Sequence, residues 1–358
     1  MIWPVFGIIP SIVFHLSDAY NWGTIVLIKA GGTIHYRGMW MGGAYGIATT
    51  DPSNIEYMLK TNFQNFPKGN YYGERFRDLL GDGIFIANDK SWMEQRQLEK
   101  HEMHSSHFID LLLLFLFYCL SSNSFDLQEV LIRFTFDNIS TIALVVNPRC
   151  LALDLPEVPF AKAFEEATEL TLLRFLMPPF VWKSLKFFGL GNERQLKEAI
   201  KVVHDFADKK VRDRRKILGN LSNQSDLLSR LIESENKQGQ NRHFQMVYLQ
   251  AALSESLRLY PSVPIELKEV LEDDVLPDGT RLKKGAQVFN FLFSMVRMES
   301  IWGKDCLEFK LERQIKDGKF VSANQFKYPV FNAGPRRCLG KNFSYTQMKM
   351  VAVSVLLR

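Results

Sequence analysis

Ten residues, Phe331-Asn-Ala-Gly-Pro-Arg-Arg-Cys-Leu-Gly340, constrain this chain more than any other segment. They set one cysteine, Cys338, in a glycine-rich loop, with Arg336 two positions before it and a helix-like run from Lys341 after it. Gly334 and Gly340 lack a Cβ, so the backbone there can turn tightly and lie close to a flat macrocycle. A helix opening near Lys341 points its positive end back toward the sulfur and favours the thiolate, the form that binds metals. A thiolate held this way can ligate a haem iron from one face, with Arg336 in reach of a propionate. Two other readings compete. Lone cysteines often fill an ordinary buried turn. Gly334 with the pair Gly340-Lys341 also has the look of a phosphate loop, but one residue too many separates the glycines, and Asn342 stands where a magnesium-binding hydroxyl belongs.

The pattern Phe-x-x-Gly-x-Arg-x-Cys-x-Gly resembles the haem-binding loop of the cytochrome P450 monooxygenases. The resemblance implies that Phe331, Gly334, Arg336, Cys338 and Gly340 bind haem b (iron protoporphyrin IX), with Cys338 as the axial ligand of the iron. Other segments agree. Glu255 and Arg258 stand three apart in the run Tyr248 to Tyr260, which reads as a helix stopped by Pro261 and Pro264, so they share a helix face. Such a pair on a surface is worth little; among Leu249, Ala252, Leu253, Leu257 and Leu259 it is expected to be partly buried. It resembles the family's Glu-x-x-Arg pair, which an arginine from a later turn completes. That partner is Arg313 of Phe309-Lys-Leu-Glu-Arg, with Leu311 where the family has proline, and the triad's implied role is structural. Trp92 and Arg96 lie one helical turn apart behind Ser91, a suitable N-cap. They resemble the family's Trp-x-x-x-Arg element, whose side chains hold a propionate. Lys268 stands where many relatives carry a propionate-binding arginine and would act as a point charge.

Composition bounds the remaining classes. The chain has 358 residues, 46% of them hydrophobic with 28 phenylalanines, enough for an extensive core. The net charge of +5 is too diffuse for a nucleic-acid surface, and no basic-aromatic repeat supports one. Cys119, Cys150, Cys306 and Cys338 are widely spaced, which fits a reducing compartment better than a disulfide framework or a zinc site. The longest apolar run, Leu111 to Leu120, is too short to span a bilayer and is expected to be a buried helix. Met1 to Phe14 is broken by Pro4 and Pro10 and reads as neither span nor signal peptide.

Along the chain, residues 27 to 50 read as short strands with glycines. Asp51-Pro52 opens a helix, with the acid as N-cap and proline in the first turn. Residues 158 to 187 and 192 to 217 read as helices, 219 to 240 as a polar linker, and Val288 to Phe293 as a strand. The expected fold is mainly α with a small β portion, in one domain over residues 1–358. It matches the P450 architecture that the resemblance implies, in incomplete form.

Leu79 to Phe85, Phe125 to Asn138 and Leu257 to Glu266 resemble the plant fatty-acid ω-hydroxylases. That branch implies terminal hydroxylation of a long-chain fatty acid with O2. Electrons come from NADPH through NADPH–cytochrome P450 reductase, at the cytosolic face of the endoplasmic reticulum membrane, in a monomer. No residue is assignable to the substrate carboxylate. The chain also departs from the family. From Ile232 it passes through a polar stretch almost directly into the Glu255 helix, leaving no room for the distal oxygen-binding helix and its acid–alcohol pair. An N-terminal anchor and C-terminal strands are likewise expected to be missing. Hence the alternative of a non-catalytic haem-binding or non-folding remnant.

Overall fold

The computed structural model describes residues 6–38, 45–99, 112–117, 125–144, 149–152, 155, 158–217 and 240–356. Among these, helices dominate and the sheets are small, so the fold is mainly α with a small β portion, as the sequence predicts. The chain divides into two compact units, each built from three stretches of sequence: 1–95, 171–189 and 244–338, and then 96–170, 190–243 and 339–358.

The first unit holds the sheet. Its strands run in the order Thr33–Arg37, Tyr45–Thr49, Gln287–Asn290, Glu266–Glu269. The outer pairs are antiparallel and the central pair is parallel. Alternation puts Ile47 and Val288 into the core, where they meet Ile55, Met58, Leu59 and Phe66. Asp51 caps the Pro52–Glu56 helix: its carboxylate accepts from the backbone N–H groups of Ser53 (2.7 Å) and Asn54 (3.0 Å). The helix then widens into a π turn over Tyr57–Thr61.

In the second unit, the helix Leu127–Leu144 contributes Val130 and Phe134 to a core with Phe115 and Leu151. Phe343 and Met350 of the Lys341–Leu356 helix pack on the same cluster. Phe160 and Phe206 bring their rings to 4.3 Å.

Several expectations need correction. The stretch 158–187 is two helices, Pro159–Leu173 and Pro179–Phe188. Pro178 has no N–H to continue the first. Residues 27–29 end a helix, Ala19–Lys29, and the strands start only at Thr33. The strand expected over 288–293 stops at Asn290, and a short helix, Leu292–Met295, follows. Within Leu111 to Leu120 the described residues 112–117 are helical, with Leu112 and Phe115 buried but Leu113 and Phe117 exposed. No described helix is long and apolar enough to cross a membrane. The linker expected at 219–240 lies outside the described residues except Gln240, which already opens the Gln240–Leu259 helix.

Candidate functional site: the cysteine loop and its basic cluster

The loop around Cys338 is closed by the chain's own backbone. The Cys338 N–H donates to the Phe331 carbonyl at 2.7 Å, and the thiol is exposed and unpaired by any disulfide. Gly334 has φ +60°, and a Cβ there would lie 1.9 Å from the Leu59 carbonyl oxygen. The glycine is therefore required by close approach to the π turn. Gly340 is buried, and its carbonyl accepts from the Ser344 N–H at 2.8 Å, which starts the Lys341–Leu356 helix.

Arg336 crosses to the Asp89–Glu99 helix and the turn before it. One Nη donates to the Ala87 carbonyl (2.7 Å) and to Asn88 Oδ1 (3.1 Å), while the guanidinium lies 4.7 Å from the centre of the Trp92 ring. Trp92 is buried and Arg96 follows one turn later on the same helix. Ser91 is not the N-cap: the helix opens at Asp89, so Ser91 sits inside its first turn and accepts from Gln95 at 3.3 Å. The cue was real but displaced, because Asn88 already precedes the helix and its carbonyl accepts the Trp92 N–H.

Beside Arg336 lies a buried ionic cluster that the sequence reading touched only at Lys268. Strand Glu266–Glu269 alternates its side chains, so Glu266 and Lys268 share a face. Their charged ends stand 3.1 Å apart. Glu266 also takes Lys68 Nζ at 3.1 Å and Asn332 Nδ2 at 2.8 Å. Asn332 reaches it from a left-handed conformation, φ +58°. Burial disfavours charge on Glu266, yet Lys268 and Lys68 outweigh it and hold the carboxyl well below its usual range. Burial pushes the Lys268 ammonium down to about 8 against the pull of Glu266, helped by repulsion from Lys68 and Arg336. Lys268 is fully buried, and its ammonium, which carries three donors, makes no well-aligned hydrogen bond in spite of the ion pair. Two cations, Lys68 and Lys268, thus share one carboxylate, with the Arg336 charge close enough to repel Lys268. Such a surplus can hold a multiply charged anion such as the two propionates of a haem, and the donor set fits that group. The i, i+2 pattern Glu266/Lys268 was the only sequence signal for the carboxylate; Lys68 and Asn332 gave none.

Elsewhere in this unit Glu255 and Arg258 are both fully buried. The guanidinium spends every donor. Nε and one Nη donate to the two Glu255 oxygens at 2.9 and 2.8 Å. The carbonyls of Val296, Cys306 and Glu308 accept the rest at 2.9, 2.7 and 3.1 Å. Arg313 Nε approaches Glu255 at 3.3 Å, and its Nη groups bind the carbonyls of Trp302 and Asp305. The triad pins the segment 296–313 to the Gln240–Leu259 helix.

The cytochrome P450 family model matches residues 32–246 and 240–358. The two stretches meet where the distal helix was expected to be absent. The chain is 40% identical to cytochrome P450 86B1 of Arabidopsis thaliana, with 100% of this chain and 80% of the relative covered. That alignment runs over 445 positions, so at least 87 of them have no counterpart among the 358 residues here. It is 34% identical to cytochrome P450 94A1 of Vicia sativa (99% and 83% covered) and 31% identical to noroxomaritidine synthase 1 of Narcissus pseudonarcissus (99% and 84%). With the cysteine loop, the buried Glu255–Arg258 pair and a match running along almost the whole sequence, this chain belongs to the cytochrome P450 family of haem-dependent monooxygenases.

Proposed function

We propose that this chain, as one domain over residues 1–358, binds haem b through Cys338 and hydroxylates long-chain fatty acids at the terminal carbon. The observation that carries the reading is the exposed Cys338 thiol on a loop whose own arginine, Arg336, joins a buried surplus of positive charge. Haem, when bound, supplies the activation of O2. The chain's residues do the rest. The Cys338 thiolate would hold the haem iron and supply it with electron density. Lys268, Arg336, Trp92 and Arg96 would hold the propionates and so orient the haem. Phe331, Gly334 and Gly340 would shape the loop that holds Cys338 toward the haem. The Glu255–Arg258–Arg313 triad keeps the surrounding segment in register and takes no part in chemistry. The electron donor is NADPH–cytochrome P450 reductase, met by a monomer at the cytosolic face of the endoplasmic reticulum membrane. Support for an acyl substrate comes from Leu79–Phe85, Phe125–Asn138 and Leu257–Glu266, which resemble the plant fatty-acid ω-hydroxylases.

The test is the ferrous carbon-monoxide spectrum of the purified chain, followed by turnover of dodecanoic acid with NADPH and reductase. A thiolate-type Soret band that vanishes in Cys338→Ser, with ω-hydroxy product, is the expected result. Haem uptake unchanged by Cys338→Ser would overturn the ligand assignment. One observation favours a second reading, a haem binder without turnover: the family match falls into two stretches that meet at 240–246, where the distal acid–alcohol pair would be encoded. A normal carbon-monoxide spectrum without product would select it.

A further inference from the structure

Cys338 is held by a chain of hydrogen bonds that starts outside its loop, on the sheet. The Cys338 N–H donates to the Phe331 carbonyl at 2.7 Å. The N–H of the same peptide unit, that of Asn332, donates to the Pro329 carbonyl at 2.9 Å, so the plane between Phe331 and Asn332 is fixed on both edges. The Asn332 side chain is fixed as well. Its Oδ1 accepts from the Ala333 N–H at 2.7 Å, and its Nδ2 donates to Glu266 Oε1 at 2.8 Å. Asn332 does this at φ +58°, a backbone that glycine and asparagine tolerate and most other residues avoid. Every link from the Glu266 carboxylate to the Cys338 backbone is thus a hydrogen bond to a group already held in place.

Glu266 is a firm base for that chain. It is buried in the Glu266–Glu269 strand, opposite Asn290 in the antiparallel ladder. The same Oε1 atom takes Lys68 and Lys268, each at 3.1 Å. One oxygen therefore serves both buried lysines and the loop that carries the sulfur. The other supports of the loop act further along it: Gly334 lies against the Leu59 carbonyl, and Arg336 donates to Ala87 and Asn88. The bond between Cys338 and Phe331 fixes the shape of the loop. The bond between Asn332 and Glu266 fixes where that shape stands on the sheet.

We propose that Glu266 is a positioning residue for Cys338, acting through the Asn332 amide. Because the same oxygen holds Lys268, the iron ligand and a cation assigned to a propionate are kept in one register by a single atom. Neither Glu266 nor Asn332 touches the reacting atoms. The assignment rests on the reading of Cys338 as the haem ligand. Groups that orient a metal ligand from behind change metal affinity by about 10–100-fold when they are lost.

The test compares Asn332→Gly with Glu266→Gln in the purified full chain. Glycine keeps the positive φ and leaves the ion pairs of Glu266 alone, but it has no amide to offer. It should speed haem transfer to apomyoglobin by about tenfold or more and deplete the thiolate-type band of the ferrous carbon-monoxide complex. Hydrogen exchange at the Cys338 amide should quicken by about tenfold, the scale of one hydrogen bond to a charged group. Glutamine keeps an oxygen for Asn332 and surrenders the charge, so its urea midpoint falls while the band and the Cys338 exchange stay with the parent. If Asn332→Gly does not fold, Asn332→Asp takes its place, since aspartate tolerates the same φ and offers no donor. Parent-like haem transfer and exchange without the Asn332 amide overturn the proposal, and so does a Glu266→Gln chain that loses the thiolate band. A parent that shows no thiolate band removes the ligand reading, and the exchange measurement then decides by itself whether Glu266 seats the loop.

Discussion

Arg258→Lys isolates what a buried guanidinium does in this fold. The side chain is fully buried, and its five N–H donors meet five acceptors: two oxygens of Glu255 and the carbonyls of Val296, Cys306 and Glu308. Lysine keeps the charge but brings three donors on a single nitrogen, and no single point is within reach of acceptors spread around a planar fork. At least two acceptors lose their partner, at about 1–3 kcal/mol each when buried. Arg313 Nε at 3.3 Å and the Lys310 N–H at 3.2 Å still serve Glu255, so the carboxylate is not stranded. The expected cost is about 3–5 kcal/mol, a large part of a typical folding free energy. With a urea slope of about 3 kcal/mol per molar, the midpoint falls by more than about 1 M. Equilibrium urea unfolding followed by far-UV circular dichroism measures it. A midpoint within about 0.3 M of the parent would refute the donor-by-donor argument.

Glu266→Gln should cost about 3–5 kcal/mol at pH 7, because it strips Lys268 and Lys68 of their shared anion in a buried site. In the parent, stability should rise as pH goes from about 8 toward the ordinary lysine range: the folded chain has released the Lys268 proton while the unfolded chain still carries it. A flat urea midpoint over that window contradicts the assignment. Gly334→Ala should destabilise by more than about 1 kcal/mol, since the new methyl would overlap the Leu59 carbonyl at positive φ, and unchanged thermal stability would refute the close approach. Asp305, held down to about 2 by hydrogen bonds from Lys310 and Arg313, contributes stability above the usual aspartate pKa. That stability is lost as pH falls toward 2. Asp305→Asn should remove this part of the acid transition, and an unaltered acid limb would count against it.

Short-range pattern alone carried much of this protein. The Asp51 cap, the i, i+3 Glu255–Arg258 pair and the turn chemistry around Cys338 depend on neighbours a few residues away, and dihedral preferences and helix spacing act over that range. The family could be identified for the same reason, since its marks are compact motifs. Tertiary structure decided what those residues meet. The reason Gly334 must be glycine is a carbonyl at Leu59, and the counter-ion of Lys68 stands 198 positions along the chain. Arg75 of the Gly69–Leu80 helix is enclosed by Arg174 and Trp182, which arrive from a distant stretch. Electrostatics and packing act through space, so which charges share a cavity depends on how the chain closes on itself, and no local window of sequence contains that information.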